Sequence, residues 1–275
     1  MRAMLGPPPH CGGDAATFVA GLDLRTGRTR WRFPARTVES SPLVVGRLVV
    51  IGTWDGKIDA LDVGSGRLRW SVQTHGPVKA GAARSGSLLY IGSYDGSLYA
   101  VDARTGHVRW STPAGGPFYA TPAVADGRVV AATTDGVVHA FSARSGEALW
   151  SRRIGPFAYS AAALAHGRAY VGSYDHRLYA LDAATGRVLW TYTAPGPVSG
   201  APTVLGRLVY FSSCGSCSQY ESNPRARRTF AVDAITGKLV WRFPDGEYSP
   251  VVTDGVRLYV NGFTLLYALQ PQHRQ

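Results

Sequence analysis

Three cysteines are the residues of this 275-residue chain whose chemistry is easiest to name. Cys214 and Cys217 form a Cys-x-x-Cys pair, and Cys11 stands alone near the N-terminus. In a thioredoxin-like βαβ setting such a pair predicts redox chemistry. Here the pair lies in an irregular insertion within β-rich sequence, which favours a local disulfide that fastens the insertion in an oxidising compartment. A zinc site formed by the three cysteines with His10 is the alternative interpretation.

Acid–base and metal chemistry find little support in the other titratable residues. The seven histidines show no ligand spacing on one element, and no His-Glu-x-x-His motif, phosphate loop or nucleophile elbow is present in the sequence. Most aspartates recur in two settings, three residues before a Thr/Ser in a Gly turn and within Asp-Gly pairs, where Asp bonds to backbone amides and Gly adopts a positive φ. The two sets are Asp23, Asp62, Asp102, Asp182 and Asp233, and Asp55, Asp95 and Asp135. We therefore assign no catalytic residue and no metal site.

Both sets of aspartates belong to an internal repeat of about forty residues. A tryptophan follows each Thr-Gly or Ser-Gly turn, and the spacings between these tryptophans are 39, 40, 40, 40 and 51 residues. The six are Trp31, Trp70, Trp110, Trp150, Trp190 and Trp241. We interpret them as residues that pack between neighbouring blades, in preference to an aromatic cage.

Each repeat predicts four short antiparallel strands. In one copy, strand A lies within residues 116–124, strand B within 127–131 and strand C within 137–141, and strand D carries the tryptophan. Four such strands every forty residues are typical of a propeller blade, and helical periodicity is absent from the sequence. We predict an all-β fold, a β-propeller of four-stranded antiparallel blades over residues 17–270. Residues 1–16 are expected to be an irregular segment and residues 271–275 a tail.

The number of strands favours six blades. In that arrangement the N-terminal strand with Trp31 completes the last blade, and closing the ring removes exposed strand edges. However, Phe18–Asp23 already has the sequence of a strand C, so this closure duplicates an element. The alternative is an open or truncated part of a seven- or eight-bladed propeller.

The segment Leu178–Trp190 (LYALDAATGRVLW) resembles the pyrroloquinoline-quinone-type propeller repeat. That repeat occurs in quinoprotein dehydrogenases and in the propeller lipoprotein of the outer-membrane assembly machinery, and the similarity extends over about residues 17–270. The dehydrogenases hold their quinone with adjacent cysteines, a stacking Trp and a Glu/Asn/Asp set around calcium, whereas this sequence has no Cys-Cys pair. The resemblance therefore implies the non-catalytic branch, with no cofactor and an extracytoplasmic location in the cell envelope.

Charge and hydropathy argue against two further classes of protein. The net charge is +11, but the arginines are scattered among turns and form no basic block, so we expect a solvated basic surface and no nucleic-acid partner. No stretch of eighteen apolar residues predicts a transmembrane segment. Residues 1–10 lack the apolar run of a signal peptide. This leaves open a cytoplasmic chain, an export signal that has been removed, or one that lies outside this sequence.

The positions at which the repeats differ in chemistry are the candidate site. One position, three residues before the Pro or Ala that marks strand A, carries polar or aromatic residues in every repeat, namely Glu39, Lys79, Tyr119, Tyr159, Ser199 and Glu247. Strand A is the innermost strand of a blade, so these side chains are expected around the mouth of the central channel. The hairpin tips carry a second aromatic set, Trp54, Tyr94 and Tyr174. A water-filled pore and packing on the adjacent blade are the plainer interpretations of the two sets.

These features predict a non-catalytic binding or scaffold propeller that recognises a protein partner or a small ligand at the central-channel face. Two alternatives remain, a quinoprotein-like oxidoreductase and a sensor domain of a larger protein. The sequence specifies neither the partner nor the oligomeric state.

Overall fold

Short antiparallel strands joined by tight turns make up the computed structural model, which describes residues 2–5, 18–215, 217, 223–246 and 251–270. The described residues form 26 strands and one 3-10 helix, Pro224–Ala226. The strands belong to seven sheets, five of four strands and two of three, and in each sheet neighbouring strands are consecutive in the chain. The all-β class predicted from the repeat is confirmed.

The chain divides into two compact units. The first comprises Met1–Val129 and Phe141–Ala148, and the second comprises Val130–Ala140 and Leu149–Gln275. The first three sheets belong to the first unit and comprise β1 (Arg2–Leu5), β2 (Phe18–Leu22) and β3 (Thr29–Pro34); β4 (Leu43–Val45), β5 (Leu48–Gly52), β6 (Lys57–Asp62) and β7 (Leu68–Gln73); and β8 (Ala83–Ser85), β9 (Leu88–Gly92), β10 (Ser97–Asp102) and β11 (Val108–Pro113). The fourth sheet comprises β12 (Ala123–Ala125), β13 (Arg128–Ala132), β14 (Val137–Ser142) and β15 (Ala148–Arg153).

The last three sheets belong to the second unit. They comprise β16 (Ala163–Ala165), β17 (Arg168–Gly172), β18 (Arg177–Asp182) and β19 (Val188–Thr193); β20 (Thr203–Leu205), β21 (Leu208–Ser213), β22 (Arg228–Asp233) and β23 (Leu239–Phe243); and β24 (Val252–Thr253), β25 (Leu258–Asn261) and β26 (Leu266–Leu269). The expectation of one domain over residues 17–270 stays a prediction.

The N-terminal sheet differs from the six-bladed arrangement. The strand that carries Trp31, β3, pairs with β2 in a sheet of its own, so the duplicated strand C seen in the sequence provides its partner. On its other side β2 pairs with β1, which lies within the segment expected to be irregular. The repeat contains no copy of β1, and for that reason periodicity alone does not predict it. This strand covers an edge of β2 that would otherwise expose unpaired backbone groups.

The repeated tryptophans join neighbouring sheets within each unit. The Nε1 atom of Trp70 donates a hydrogen bond to the carbonyl oxygen of Ala103 in the next sheet at 3.1 Å, and Trp190 donates to Ala234 at 3.2 Å. The equivalent bonds are Trp31 to Val63, Trp110 to Ala143 and Trp150 to Ala183. Each ring also lies against the turn glycine of that next sheet, so that a Cβ atom on Gly106 would come within 2.8 Å of Trp70. These contacts agree with the packing role inferred from the repeat.

An aspartate builds four of the five turns that receive a tryptophan, and Ser142 takes its place in the turn that receives Trp110. The Oδ1 atom of Asp62 accepts hydrogen bonds from the backbone N–H groups of Gly64 and Ser65 and from the Ser65 hydroxyl, each at 3.0 Å. Arg69 donates to Oδ2 at 3.0 Å and, together with these bonds, lowers the pKa of Asp62 to about 2. The same bonds recur at the other repeated aspartates, which supports their interpretation as turn residues.

The apolar core of each unit lies between facing sheets. In the first unit, Val50 and Ile58 of the second sheet pack with Leu89 and Ile91 of the third, and all four side chains are buried. Every residue of β10 from Leu98 to Val101 is buried, because both faces of its sheet are covered. Such strands carry continuous apolar sequence, whereas the outer strand β11 alternates between half-buried and exposed side chains.

The change of Gly66 to Ala is expected to destabilise the protein more than the change of Gly27 to Ala. Both turn glycines have a φ of +70°, so both variants bear the same strain of the left-handed region, about 1 kcal/mol. At residue 66 the new Cβ would lie 2.5 Å from Trp31, whereas at residue 27 nothing lies within 4 Å. Urea denaturation should show a free energy of unfolding lower by a further 1–3 kcal/mol or so in G66A, the usual cost of overpacking. Equal losses would contradict a role for the contact between tryptophan and glycine.

Candidate functional site

The four-stranded sheets have two chemically different ends. Because the strands are antiparallel, the hairpin between the first two strands and the turn between the last two lie at one end, which we call the turn end. The hairpin between the second and third strands lies at the opposite end, beside the loop that leads into the first strand, and we call this the hairpin end. In the second sheet, Asp62 marks the turn end and Asp55 marks the hairpin end. The predicted site residues that the structure describes all lie at hairpin ends.

The residues expected on strand A lie in the loops that lead into the first strands. Those strands are short and begin four residues later, at Leu43 in the second sheet and at Ala83 in the third. We call these segments the lead-in loops. Their backbone forms hydrogen bonds with the preceding sheet instead, since the Val78 N–H donates to the Thr53 carbonyl at 2.8 Å. Glu247, the sixth member of the predicted set, lies outside the described residues.

Lys79 brings both predicted sets together in the first unit. Its Nζ atom lies 3.8 Å from the ring centroid of Trp54 and 5.0 Å from that of Tyr94, and it lies 3.5 Å from the Oε2 atom of Glu39. We call these four residues the Lys79 cluster. The Lys79 side chain is 17% exposed, whereas Trp54 is 41% exposed. The ammonium group thus has two aromatic faces and a carboxylate around it, and part of the indole remains open to solvent.

Backbone hydrogen bonds fix the two aromatic members of the cluster. The Trp54 N–H donates to the Thr37 carbonyl at 2.9 Å, and the Tyr94 N–H donates to the Pro77 carbonyl at 2.8 Å. Each hairpin tip is therefore tied to the lead-in loop of its own sheet. These bonds fix the backbone from which the Trp54 and Tyr94 rings extend.

The acids of the hairpin tips stabilise the hairpins. Asp95 accepts hydrogen bonds from the Tyr99 hydroxyl at 2.6 Å and from the His75 N–H at 3.0 Å. Burial alone would raise the pKa of Asp95, but these bonds outweigh it, so the pKa lies below its usual value. Asp55 is held in the same way by the Thr53 hydroxyl at 2.6 Å and by Lys57 Nζ at 3.0 Å. Carboxylates engaged in this manner are poor candidates for proton transfer.

The second unit has related pairs at its hairpin ends. The rings of Tyr159 and Tyr174 lie with their centroids 5.2 Å apart. Ser199 Oγ lies 3.1 Å from the Sγ atom of Cys217, which forms a disulfide with Cys214. The disulfide closes a turn within the insertion that follows β21. Cys11, the third cysteine, lies outside the described residues.

A constant spacing in the sequence could have linked the two predicted sets. Lys79 and Tyr94 are fifteen residues apart, as are Tyr159 and Tyr174, and each pair is in contact. In the sequence the sets appear as two separate surfaces because one lies before strand A and the other in a hairpin. In the structure, lead-in loop and hairpin meet at the same end of the sheet. Tyr119, in the next lead-in loop, is 39% exposed.

The disulfide joins cysteines three positions apart, not adjacent ones. Across residues 2–5, 18–215, 217, 223–246 and 251–270, no three His, Cys, Asp or Glu side chains converge as ligands for a metal ion would. The described residues also contain no helix with the length and apolar character needed to span a bilayer. The Lys79 cluster, an aromatic and charged surface, is suited to binding.

The fold and the repeat together define a β-propeller with quinoprotein-type repeats. A family model described as outer membrane protein assembly factor BamB matches residues 12–85, 54–160 and 155–273. Since these matches span nearly the whole length, the chain belongs to this family. Propellers of this family are commonly non-catalytic scaffolds that bind proteins. No curated protein sequence matches the chain.

Two solved structures illustrate the similarity. BamB from Moraxella catarrhalis has a TM-score of 0.71 and 20% sequence identity, over 86% of this chain and 73% of that one. The computationally designed Ika8 protein has a TM-score of 0.66 and 15% identity, over 94% of this chain and 91% of that one. At such identities the similarity shows the fold alone, and it confirms the predicted β-propeller class.

The change of Asp59 to Asn is expected to stabilise the protein at pH 7. Asp59, in β6 of the second sheet, is 5% exposed, and its Oδ1 atom accepts a hydrogen bond from the Ser71 hydroxyl at 2.6 Å. Burial raises the pKa of Asp59, so the folded state binds this proton more tightly than the unfolded chain does. The contribution of Asp59 to stability is therefore greatest below the unfolded pKa of about 3.9 and falls as the pH rises through the folded value. Asparagine keeps an acceptor for Ser71 and removes the buried charge.

Urea denaturation of the wild type and D59N at pH 3 and pH 7 measures this effect. The free energy of unfolding of D59N should exceed that of the wild type at pH 7, and the two should be nearly equal at pH 3. Asp55→Asn is the matched control, because the pKa of Asp55 is lowered by Thr53 and Lys57 despite partial burial. D55N should accordingly lose stability at pH 7, and this loss should become smaller as the pH falls towards the folded pKa of Asp55. A D59N variant that is less stable than wild type at pH 7 would contradict the assignment.

Proposed function

We propose that this chain is a non-catalytic scaffold propeller of the cell envelope that binds a protein partner at the hairpin end of its first unit. The Lys79 cluster is the observation that carries the proposal. Tryptophan and tyrosine are enriched among the residues that dominate binding at protein interfaces, and the partly exposed Trp54 ring, with Tyr94 near the same ammonium group, matches that composition. Family membership supports the scaffold role and the envelope location.

The state of Lys79 favours binding over catalysis. Its ammonium group is paired with Glu39 at 3.5 Å and lies on the face of Trp54 at 3.8 Å. A catalytic lysine must present its nitrogen to the substrate as base or nucleophile, whereas this nitrogen already contacts a carboxylate and an aromatic face. A carboxylate of the partner could approach the same ammonium group, and its apolar side chains could cover the indole. Because the cluster is held by the backbone, little conformational entropy would be lost on binding.

Site-specific photocrosslinking in cells that produce the protein would test this proposal. A photoreactive phenylalanine analogue replaces Tyr119, which lies at the hairpin end and is 39% exposed, and in a separate variant it replaces Leu68. Leu68 is the matched control because it is 47% exposed in the same unit, at the turn end. We expect a discrete protein adduct at residue 119 that is absent at residue 68. Adducts of equal yield at both positions, or none at residue 119, would refute the proposed surface.

Substitutions in the cluster show whether the adduct depends on it. Adding Trp54→Ala or Lys79→Met to the Tyr119 crosslinking variant should reduce the yield about tenfold, as expected for residues at the centre of an interface. Thermal unfolding by circular dichroism must show that each variant is folded. An undiminished adduct in both folded variants would place the partner elsewhere.

A further inference from the structure

The arginines of the first unit are concentrated at the turn end. Arg28 and Arg67 each follow the glycine of the turn that precedes the last strand of their sheet. Arg47 and Arg128 each follow the glycine of a hairpin between the first and second strands. Because the strands are antiparallel, both kinds of turn lie at the same end of each sheet. Residues that appear scattered in the sequence therefore form one basic surface.

A cleft at this end separates the second and third sheets. It has a volume of about 630 Å³, within the range of small-molecule sites, and its walls combine arginines with apolar side chains. The arginines are Arg47, Arg69, Arg84 and Arg104, and the apolar residues are Val45, Leu48 and Ala103. Asp62 and Ser87 complete the lining. Four positive charges thus face one negative charge.

The single acid of the cleft does not neutralise these arginines. Asp62 uses Oδ1 within its own turn and accepts from Arg69 at Oδ2, while Arg47 lies 3.8 Å from the same oxygen and is 87% exposed. The Nε atom of Arg84 donates to the Gly86 carbonyl at 2.9 Å. Within the described part of the chain, Arg84 and Arg104 form no ion pair with an acid. Their guanidinium groups are therefore available to an anion.

The second unit shows how a protein side chain fills the corresponding space. There Arg168, at the start of β17, donates to the Ala234 carbonyl of the next sheet at 2.7 Å. Leu48 occupies the equivalent position at the start of β5, and Ala103 is the equivalent of Ala234. Leu48 has no cationic group that could reach across. In the second unit, the Arg168 guanidinium group thus fills this space. In the first unit, the equivalent space is a cleft lined by Leu48 and Ala103, with arginines around it.

We propose that this cleft binds a phosphomonoester carried on a small apolar body. A phosphomonoester has a charge of about −1.5 to −2 at neutral pH, which matches the excess of positive charge better than a single carboxylate does. The planar guanidinium groups of Arg84 and Arg104 suit bidentate hydrogen bonds to phosphate oxygens. Leu48 and Val45 supply an apolar surface for the rest of the ligand. This site lies at the opposite end of the sheets from the Lys79 cluster and does not depend on the proposed partner surface.

Calorimetric titration of the full chain with hexyl phosphate is the direct test. We expect saturable binding that weakens below pH 6, where the phosphate takes up its second proton. Hexanoate and inorganic phosphate should each bind more weakly, because the first has less charge and the second lacks the apolar body. The absence of saturable binding of hexyl phosphate to the wild type would overturn the proposal.

Two variants separate this site from the general basic charge of the surface. The double change Arg84→Ala with Arg104→Ala should weaken hexyl phosphate binding at least about tenfold, the equivalent of losing one strong charged contact. Arg144→Ala is the matched control, since Arg144 occupies the position of Arg104 in the fourth sheet and does not line the cleft. R84K/R104K keeps the charge but loses the fork geometry, and it should bind with intermediate affinity. Equal weakening in R144A and the double variant would attribute binding to diffuse charge and refute the site.

Vesicles distinguish the two sources of such a ligand. Co-sedimentation with vesicles of phosphatidylcholine containing phosphatidic acid, compared with phosphatidylcholine alone, tests for a lipid headgroup. Retention that is lost in R84A/R104A and displaced by hexyl phosphate identifies a membrane lipid as the ligand. Binding of hexyl phosphate without retention on vesicles identifies a soluble phosphomonoester. Retention that R84A/R104A leaves unchanged, with hexyl phosphate failing to compete, would contradict the assignment.

Discussion

The contact of five repeated tryptophans, Trp31 to Trp190, with the turn of the next sheet is the interaction on which the rest of the structure depends. The indole donates to a backbone carbonyl and covers a glycine that has no room for a Cβ atom, as Trp70 does with Ala103 and Gly106. A tryptophan buried in this way contributes roughly 3–5 kcal/mol relative to alanine. The aspartate beneath it fixes the turn, and the glycine adopts the backbone conformation that other residues avoid. One short sequence motif therefore supplies both the turn and the tryptophan that packs on the next sheet.

This contact occupies the turn ends and leaves the hairpin ends free to vary. At the hairpin ends the constant features are backbone hydrogen bonds, such as Val78 to Thr53, which restrict few side chains. Glu39, Lys79 and Tyr119 can therefore differ in chemistry at one repeated position without a change of fold. The arginine cleft lies at the turn end, where Leu48 has no guanidinium group that could reach the next sheet as Arg168 does.

Much of the fold could be predicted because periodicity is a local property. The positions of the turns, the tryptophans as packing residues and the Asp-Gly hairpins all follow from residues close together in the chain. The candidate site residues stay a prediction, but their arrangement differs from the expected one: Lys79 and Trp54 were assigned to separate surfaces, and the structure places the Lys79 ammonium 3.8 Å from the Trp54 ring centroid. Strand A begins later in the chain than predicted, because the residues before it form backbone hydrogen bonds with the preceding sheet. The β1 strand and the arginine cleft were missed, the first because it lies outside the repeat and the second because Arg47 and Arg104 are far apart in sequence.

The sequence by itself determined the all-β class, the four-stranded sheets and the structural role of its tryptophans and aspartates. It could do so because each of these depends on a motif of a few residues that recurs about every forty. Only the tertiary structure decided that β3 pairs with β2, that Lys79 lies between Trp54 and Tyr94, and that arginines of two sheets surround one cleft. These features depend on which sheets meet and at which end. That choice is made by packing between segments that are distant in the chain. A periodic pattern is the same in every repeat, so it cannot specify which of these segments meet.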